Sequence, residues 1–180
     1  MWFDEHDYIS KGNLIKWNPA IKSAADKAAL WEALRTDRID VVATDHAPHT
    51  LQEKEHSYFK APSGGPLVQH SLTAMLEMSR KGLISVEKVI EKMCHAPADL
   101  FRIDRRGYIR EGYYADLVLV DPTHSWVVGP ENILYKCGWS PFDGMEFSHR
   151  VMATFVNGNL VYANGDIVSG IQGRRLKFNM

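Results

Sequence analysis

Short apolar runs alternate with helical spacing along the first hundred residues of the chain. The run from Val41 to Thr44 is apolar on both faces, which is typical of a strand buried in a parallel sheet. Leu14 to Trp17 is a second short strand candidate, and Asn18-Pro19 closes it. Both runs are therefore predicted to be strands of a βα-type sheet.

Three helices are predicted around these strands. Ser23 opens a capping-box pattern, so a helix should run from there through about Arg35. Pro66 is suited to a first helical position, and the helix that it starts should stop at Gly82. Ser85 caps a third helix, whose apolar residues are spaced i, i+3, i+4, i+7: Val86, Val89, Ile90 and Met93.

The last part of the chain has the pattern of antiparallel hairpins. The run Leu117 to Val120 is followed by strands that the tight-turn dipeptides Asn157-Gly158 and Asn164-Gly165 separate. Strands and helices followed by a meander predict an α/β fold in two parts. Residues 1–105 form the strand–helix part, and residues 106–180 form a small antiparallel β subdomain.

Composition narrows the class of protein. Of the 180 residues, 45% are hydrophobic and 24% charged, with a formal net charge of −1. This balance argues against a nucleic-acid or anionic-membrane partner, and the apolar runs are too short to span a bilayer. No N-terminal secretory segment is visible. Cys94 and Cys137 have no CxxC spacing, so a reduced, cytoplasmic setting is expected.

The stretch VVATDHAPHT places Asp45 directly after a predicted strand. In parallel α/β folds, polar residues at the carboxyl ends of strands are the ones that meet ligands. A carboxylate there can bind a divalent metal and also transfer a proton. An Asp in this position can instead cap the following loop through backbone N–H groups. The local pattern leaves both interpretations open.

Further candidates surround this stretch. His46 and His49 resemble a metal-ligand pair, yet either could instead contact a substrate. Asn18 also follows a predicted strand, although a plain Asn-Pro turn is the simpler interpretation. Ser63-Gly64-Gly65 lies in a long polar loop that begins at Pro48. Its backbone N–H groups could approach a ligand closely, or the segment could be a flexible tip.

Five longer stretches carry a family resemblance: NLIKWNPAIKSAADKAALWEALRTDRIDVVATDHAPHT, KAPSGG, APADLFRI, GYIREGYYADLVLVDP and SPFDGMEFSHRVMATFVNGNLVY. In this order they closely resemble dihydroorotases, the cyclic-amide hydrolases of pyrimidine synthesis in the metal-dependent amidohydrolase superfamily. The resemblance covers essentially the whole chain. TDHAPH after a strand is fairly specific to dihydroorotases, whereas the G…I…G…ADLVLVDP pattern is shared with hydantoinases and allantoinases.

The resemblance implies a role for each of five residues. Asp45 looks like the final barrel-strand aspartate, a metal ligand that is also the catalytic general base and acid. His49 looks like the histidine that contacts the substrate carboxylate, and Asn18 looks like the asparagine that hydrogen-bonds the substrate. Ser63 and Gly64 align with a loop whose backbone touches the substrate ring.

The chemistry implied by the resemblance is the reversible hydrolysis of dihydroorotate to N-carbamoyl-aspartate. A zinc pair would lower the pKa of a bridging water and polarise the ring carbonyl. Asp45 would take the hydroxide proton and return it to the departing ring nitrogen, while His49 and Asn18 orient the substrate. His46 has no ligand role in the family and is expected to orient the loop.

The chain departs from the family pattern in its metal ligands. It contains no His-x-His pair, which family members carry on their first barrel strand. Residues 1–105 are also far fewer than the roughly 250 of a (β/α)8 barrel. We therefore expect the C-terminal fragment of a (β/α)8 TIM-type barrel, followed by the β subdomain. By itself this chain is expected to hold zinc weakly, to be inactive, and to form homo-oligomers through uncovered sheet edges and apolar faces.

Two other functions stay open. A related cyclic amidase, such as an allantoinase or dihydropyrimidinase, would share many of these motifs, although the second histidine of TDHAPH favours a carboxylated substrate. The third possibility is a non-catalytic, dihydroorotase-like subunit that scaffolds a partner enzyme. The joint presence of Asp45, His49 and Asn18 weighs against that loss of function.

Overall fold

The computed structural model describes residues 1–179. The α-helices of this range are α1 (Tyr8–Lys11), α2 (Ala24–Arg35), α3 (Leu51–Lys54), α4 (Ser71–Arg80), α5 (Val86–Ile90) and α6 (Ala96–Leu100). Short 3-10 helices cover Glu5–Asp7 and Gly12–Ile15, and a π-helical turn covers Glu91–His95. The strands are β1 (Leu117–Asp121), β2 (Trp126–Val127), β3 (Glu146–Phe147), β4 (Arg150–Val156), β5 (Asn159–Ala163) and β6 (Asp166–Ile167).

Helix α2 confirms the predicted capping box. The Ser23 side chain accepts a hydrogen bond from the backbone N–H of Asp26, and the Asp26 carboxylate accepts one from the backbone N–H of Ser23. Two N–H groups that the helix itself cannot bond are thereby satisfied. Trp31 and Leu34, on the inner face of the helix, are buried.

Helix α4 begins at Ser71, five residues later than the predicted start at Pro66. The backbone N–H groups of Leu67 and Val68 donate to the Nδ1 atom of His46, at 3.1 and 3.4 Å. In a helix starting at Pro66, the Gln69 N–H would bond to the Gly65 carbonyl. Here the Gln69 N–H donates to the Tyr135 hydroxyl at 2.7 Å, and the Gly65 carbonyl accepts from the Ala47 N–H. The segment before Ser71 therefore serves a contact outside the helix, which local propensity does not reveal.

The predicted cap at Ser85 is confirmed, because its hydroxyl accepts a hydrogen bond from the backbone N–H of Lys88. The helical path continues from α5 through the π-helical turn into α6, so the backbone stays helical from residue 86 to residue 100. Val89 is fully buried on this path.

The hairpin predictions are confirmed in the main sheet, which has the antiparallel strand order β1-β4-β5-β6. Asn157-Gly158 joins β4 to β5, and Asn164-Gly165 joins β5 to β6. All four turn residues have positive φ, between 52° and 109°. Asn and Gly adopt this conformation at low cost, which is why these dipeptides predict hairpins reliably. Strands β2 and β3 form a second, two-stranded sheet.

Two predicted strands are wrong for the described residues. Gly12–Ile15 is a 3-10 helix, in which the backbone N–H of Lys16 closes a local turn on the carbonyl of Asn13. Residues 41–44 are in no strand, and Ala43 is exposed. A strand needs a neighbour to bond to, and the backbone N–H of Val42 donates to the carbonyl of Lys92 in the π-helical turn instead.

The described residues divide into two compact units. The first contains residues 1–39, 43–74 and 127–146, and its core includes Phe3 stacked on Phe142 with ring centroids 5.6 Å apart. The second contains residues 40–42, 75–126 and 147–179, with Val89 and Phe147 fully buried. The division of the chain at residue 105 stays a prediction.

Candidate functional site

Asp45 has a left-handed backbone conformation, with φ of +44°, and an exposed side chain. Aspartate adopts this region more readily than most residues, but such a conformation is uncommon outside glycine and clusters at functional sites. The next residue, His46, forms an isolated parallel bridge with Gly65. The backbone therefore turns sharply at Asp45 and presents its carboxylate to solvent.

His46 is tied to the turn by its ring. Besides accepting from the backbone N–H groups of Leu67 and Val68, the ring lies 5.3 Å from the ring of Tyr135, measured between centroids. Since the Nδ1 lone pair is already used by these donors, this atom is not offered to a metal. The contacts agree with the expectation that His46 orients the loop.

His49 is half-buried and held through its backbone. The indole N–H of Trp139 donates a hydrogen bond to the His49 carbonyl at 2.7 Å. The Nδ1 atom of the His49 ring lies 3.8 Å from a carboxylate oxygen of Glu53, one turn further along. The ring is thus placed between its own loop and helix α3.

Gly64 brings the glycine-rich loop against the turn that carries His49. A Cβ atom at Gly64 would lie 2.7 Å from the Cβ of Ala47 and 2.8 Å from its carbonyl oxygen, so only glycine fits there without movement. The φ of Gly64 is +127°, which also favours glycine. Its backbone N–H donates to the carbonyl of Lys16 at 3.0 Å, and Ser63 beside it is exposed.

Asn18 is exposed and lies two residues after Lys16, at a cis peptide bond to Pro19. The backbone bonds from Gly64 to Lys16 and from Ala47 to Gly65 join the three segments that contain the predicted residues. The segments 16–18, 45–49 and 63–65, which are distant in sequence, therefore converge within the first compact unit.

Two lysines that were not predicted from the sequence bind backbone carbonyls where these segments meet. Lys54 is 2% exposed, and its Nζ atom donates to the carbonyls of Lys16, Pro62 and Gly64. The Lys16 ammonium donates to the carbonyls of Tyr58 and Ala61, each at 2.5 Å. Thr50 and Glu53 have capping-box spacing and form that box at the start of α3, so the sequence indicates this helix but not the role of Lys54 on it.

A buried polar cluster beside the site was also missed. His70 is 0% exposed, and its Nδ1 atom lies 3.1 Å from the Ser140 hydroxyl and 3.4 Å from the Tyr135 hydroxyl. Burial lowers the pKa of His70 to about 4, so its ring is neutral at pH 7. Burial likewise raises the pKa of Tyr135, whose hydroxyl accepts a bond from the backbone N–H of Gln69 at 2.7 Å.

The residues present do not complete a metal centre. Within residues 1–179, no three His, Cys, Asp or Glu side chains lie close enough together to hold one ion. Asp45 can supply one oxygen ligand, whereas catalytic zinc takes about three protein ligands. A zinc pair therefore does not fit the described residues by themselves.

The sequence model of the amidohydrolase family matches residues 10–161, most of the chain. The chain belongs to the amidohydrolase family. Similar relatives are named dihydroorotase. The one from Halobacterium salinarum is 38% identical over 177 residues, covering 98% of this chain and 42% of the relative. The one from Pyrococcus furiosus is 32% identical over 176 residues, covering 98% of this chain and 41% of the relative. The chain thus spans about two fifths of the length of the curated relatives that it matches.

Solved hydantoinase structures share the fold. The L-hydantoinase (dihydropyrimidinase) from Arthrobacter aurescens superposes with a TM-score of 0.85 at 32% identity, covering 92% of this chain and 38% of that chain. A D-hydantoinase superposes with a TM-score of 0.84 at 22% identity, which bears on the fold alone. The chain is therefore part of a TIM-barrel-type fold together with an antiparallel sheet. No helix within residues 1–179 is long and apolar enough to cross a membrane.

Proposed function

We propose that this chain supplies the C-terminal part of a dihydroorotase. The reaction would be the reversible hydrolysis of the cyclic amide of dihydroorotate to N-carbamoyl-aspartate in pyrimidine synthesis. The observation that carries the proposal is the convergence of segments 16–18, 45–49 and 63–65 in a chain whose curated relatives are named dihydroorotase. Each segment contributes one or two of the residues to which we assign a role.

Asp45 is the proposed catalytic residue. Its exposed carboxylate, on a left-handed backbone turn, is suited to accept a proton from the attacking water and to return it to the departing ring nitrogen. A carboxylate can perform both steps, because accepting the proton makes it the acid that the second step needs. Donating that proton to the ring nitrogen restores the carboxylate.

The remaining residues are proposed to bind the substrate. His49 and Asn18 would hold its carboxylate and so orient the ring over the reacting atoms. The backbone of Ser63 and Gly64 would contact the ring itself. The close approach of Gly64 to Ala47 supports this role, because a loop with a Cβ at that position could not reach the His49 turn.

A zinc pair in the complete site would need ligands from beyond the described residues, with Asp45 as the ligand from this chain. We therefore assign the chain the substrate-binding wall and the proton-transfer group, and expect it to be inactive alone. We further propose a cytoplasmic location, which two free cysteines support, and self-association as a homo-oligomer.

The second candidate is a related cyclic amidase. The structural likeness to an L-hydantoinase (dihydropyrimidinase) at 32% identity favours it, because the likeness covers 92% of this chain. His49 favours the carboxylated substrate dihydroorotate over an uncharged hydantoin or dihydropyrimidine ring. A non-catalytic scaffold remains the third candidate, against which the joint presence of Asp45, His49 and Asn18 speaks.

The test is a chimaera in which these 180 residues replace the matching part of a dihydroorotase relative. We expect it to hydrolyse dihydroorotate above the metal-only background, and Asp45→Asn to abolish this activity while the exposed Asp40→Asn retains it. The chain alone should show no turnover. Turnover of hydantoin or allantoin but not dihydroorotate would establish the second candidate, and a folded but wholly inactive chimaera would support the scaffold.

A further inference from the structure

We propose that Lys54 is a positioning residue: its buried ammonium holds the loop Pro62–Gly64 in the geometry needed at the site. The link to substrate rests on the proposed function, since Ser63 and Gly64 are the residues assigned to the substrate ring. The hold on the loop itself rests only on the contacts of Lys54.

The contacts of Lys54 match the three N–H donors of an ammonium group one to one. Its Nζ atom lies 2.8 Å from the carbonyl oxygen of Gly64, 2.9 Å from that of Pro62 and 3.3 Å from that of Lys16. Two of these carbonyls flank Ser63, and the third belongs to the segment that leads to Asn18. One side chain therefore connects two of the three converging segments.

The helix that carries Lys54 is itself anchored. The side-chain amide of Asn13 donates to the backbone carbonyls of Lys54 and His56, at 3.0 and 2.6 Å. At the other end of the helix, the Thr50 hydroxyl accepts from the backbone N–H of Glu53, whose carboxylate bonds back to Thr50. Because both ends of α3 are fixed, the Lys54 ammonium stays buried against the loop and does not extend into solvent.

The charge on Lys54 is stabilised by carbonyl dipoles. Its ammonium donates to three neutral carbonyl oxygens, and the nearby charged group that acts on it is Lys16. Burial, together with repulsion from Lys16, lowers the pKa of Lys54 to about 8. Loss of the proton would remove one of three donors and the charge that strengthens the other two bonds.

Lys54 does not touch the reacting atoms. It acts through the main chain. Its bonds to the carbonyls of Pro62 and Gly64, on either side of Ser63, hold the backbone at Ser63 in a single conformation. Lysine suits this arrangement because its three donors diverge from one point, whereas the planar guanidinium of arginine spreads its donors in a plane.

The test is amide hydrogen exchange on the intact 180-residue chain, read at Gly64 and, as an internal reference, along α2. In Lys54→Met, exchange at Gly64 should accelerate about tenfold or more relative to α2, because the variant offers no donor to the loop. Lys60→Met makes the same chemical change at an exposed lysine two residues before this loop and should leave Gly64 unchanged. Equal protection of Gly64 in wild type and Lys54→Met would overturn the proposal.

A pH series keeps the test decisive if Lys54→Met loosens the whole chain. After correction for intrinsic exchange chemistry, protection at Gly64 in the wild type should fall as pH rises through about 8, while α2 stays constant. Lys54→Arg, which stays charged, should show no such fall. A flat wild-type profile contradicts the role of the ammonium.

The proposed function is separated from this inference by titrating the chimaera, in which the rest of the site is present, with N-carbamoyl-aspartate. If the Ser63 and Gly64 amides respond to Lys54→Met but not to this ligand, the loop-holding role stands and the dihydroorotase assignment fails.

Discussion

The indole N–H of Trp139 donates a hydrogen bond of 2.7 Å to the backbone carbonyl of His49, a residue ninety positions earlier in the chain. Trp139 is 5% exposed and His49 is half-buried, so this bond is partly shielded from water. Breaking the bond is therefore costly, because the His49 carbonyl would lose its donor where water reaches it only in part. The backbone of the proposed substrate-binding histidine is thus fixed by a distant segment.

Trp139→Phe should therefore lower the free energy of unfolding by about 1 to 3 kcal/mol, since it removes the donor and keeps most of the ring. In the active chimaera it should also raise KM for dihydroorotate more than it lowers kcat. Urea denaturation and steady-state kinetics measure the two effects. Trp126→Phe is the matched control, because Trp126 donates a similar bond of 2.8 Å to the carbonyl of His149. The control should reduce stability similarly but leave KM unchanged; an equal rise in KM would contradict the local role of Trp139.

Gly64→Ala should be among the most damaging single-methyl additions in the chain. The new Cβ would overlap Ala47, and the φ of +127° is unfavourable for alanine. Strain and overpacking together should cost about 2 to 4 kcal/mol of unfolding free energy. Gly82→Ala is the control, because Gly82 has a positive φ of +76° with nothing within 4 Å of the added methyl. Thermal unfolding should show a clearly smaller loss for Gly82→Ala, and equal losses would show that contact with Ala47 is unimportant.

His70 should make the protein sensitive to mild acid. Its pKa in the folded state is about 4, below the ordinary value of 6.5, so the unfolded chain binds a proton more readily. Stability is therefore unaffected above about pH 6.5 and falls as pH decreases from there towards 4, by about 3 kcal/mol in all. His70→Gln should remove this slope in urea titrations, whereas the exposed His56→Gln should retain it. A slope that persists in His70→Gln would assign the acid sensitivity to another group.

Glu77 should act at lower pH and with the usual carboxylate sign. Burial alone raises its pKa, but hydrogen bonds from Arg80 and from Ser148 outweigh burial and bring the pKa to about 2. Because this lies below the ordinary 4.5, the contribution to stability is complete above about pH 4.5. It is lost as pH falls towards 2, by an amount on the order of 3 kcal/mol. Glu77→Gln should flatten the stability profile below pH 4.5, and Glu111→Gln, at an exposed site, should not. Identical profiles for the two variants would refute the assignment of this acid-dependent stability to Glu77.

Sequence patterns predicted the elements whose signals are local. The capping box at Ser23, the cap at Ser85 and both Asn-Gly turns depend on residues within a few positions of one another, and all are present in the structure. The predicted start of α4 was wrong because the two groups that would close its first turn, the Gln69 N–H and the Gly65 carbonyl, bond to Tyr135 and Ala47, which are distant in sequence. Likewise, the strand predicted at residues 41–44 depends on a pairing partner that the run itself does not encode.

The candidate site divides in the same way. Asp45, His49 and the Ser63-Gly64 pair were singled out because their residue types and family resemblance are visible in the sequence, and their assigned roles stay predictions. Lys54 and Trp139 were overlooked because a lysine on a short helix and a tryptophan in a loop have no distinctive pattern. Their importance follows from which carbonyls they reach, and those carbonyls come from other parts of the chain.

Residues 127–146 belong to the same compact unit as residues 1–39 and 43–74. This has a practical consequence for recombining the chain with its relatives. A gene crossover at residue 105 would let His49 be inherited from one parent and Trp139 from the other. Contacting pairs such as His46 with Tyr135 would then combine side chains from two different parents, which need not pack together. Libraries that exchange the stretch before residue 75 jointly with the stretch 127–146 should yield more folded progeny than libraries cut once in the middle.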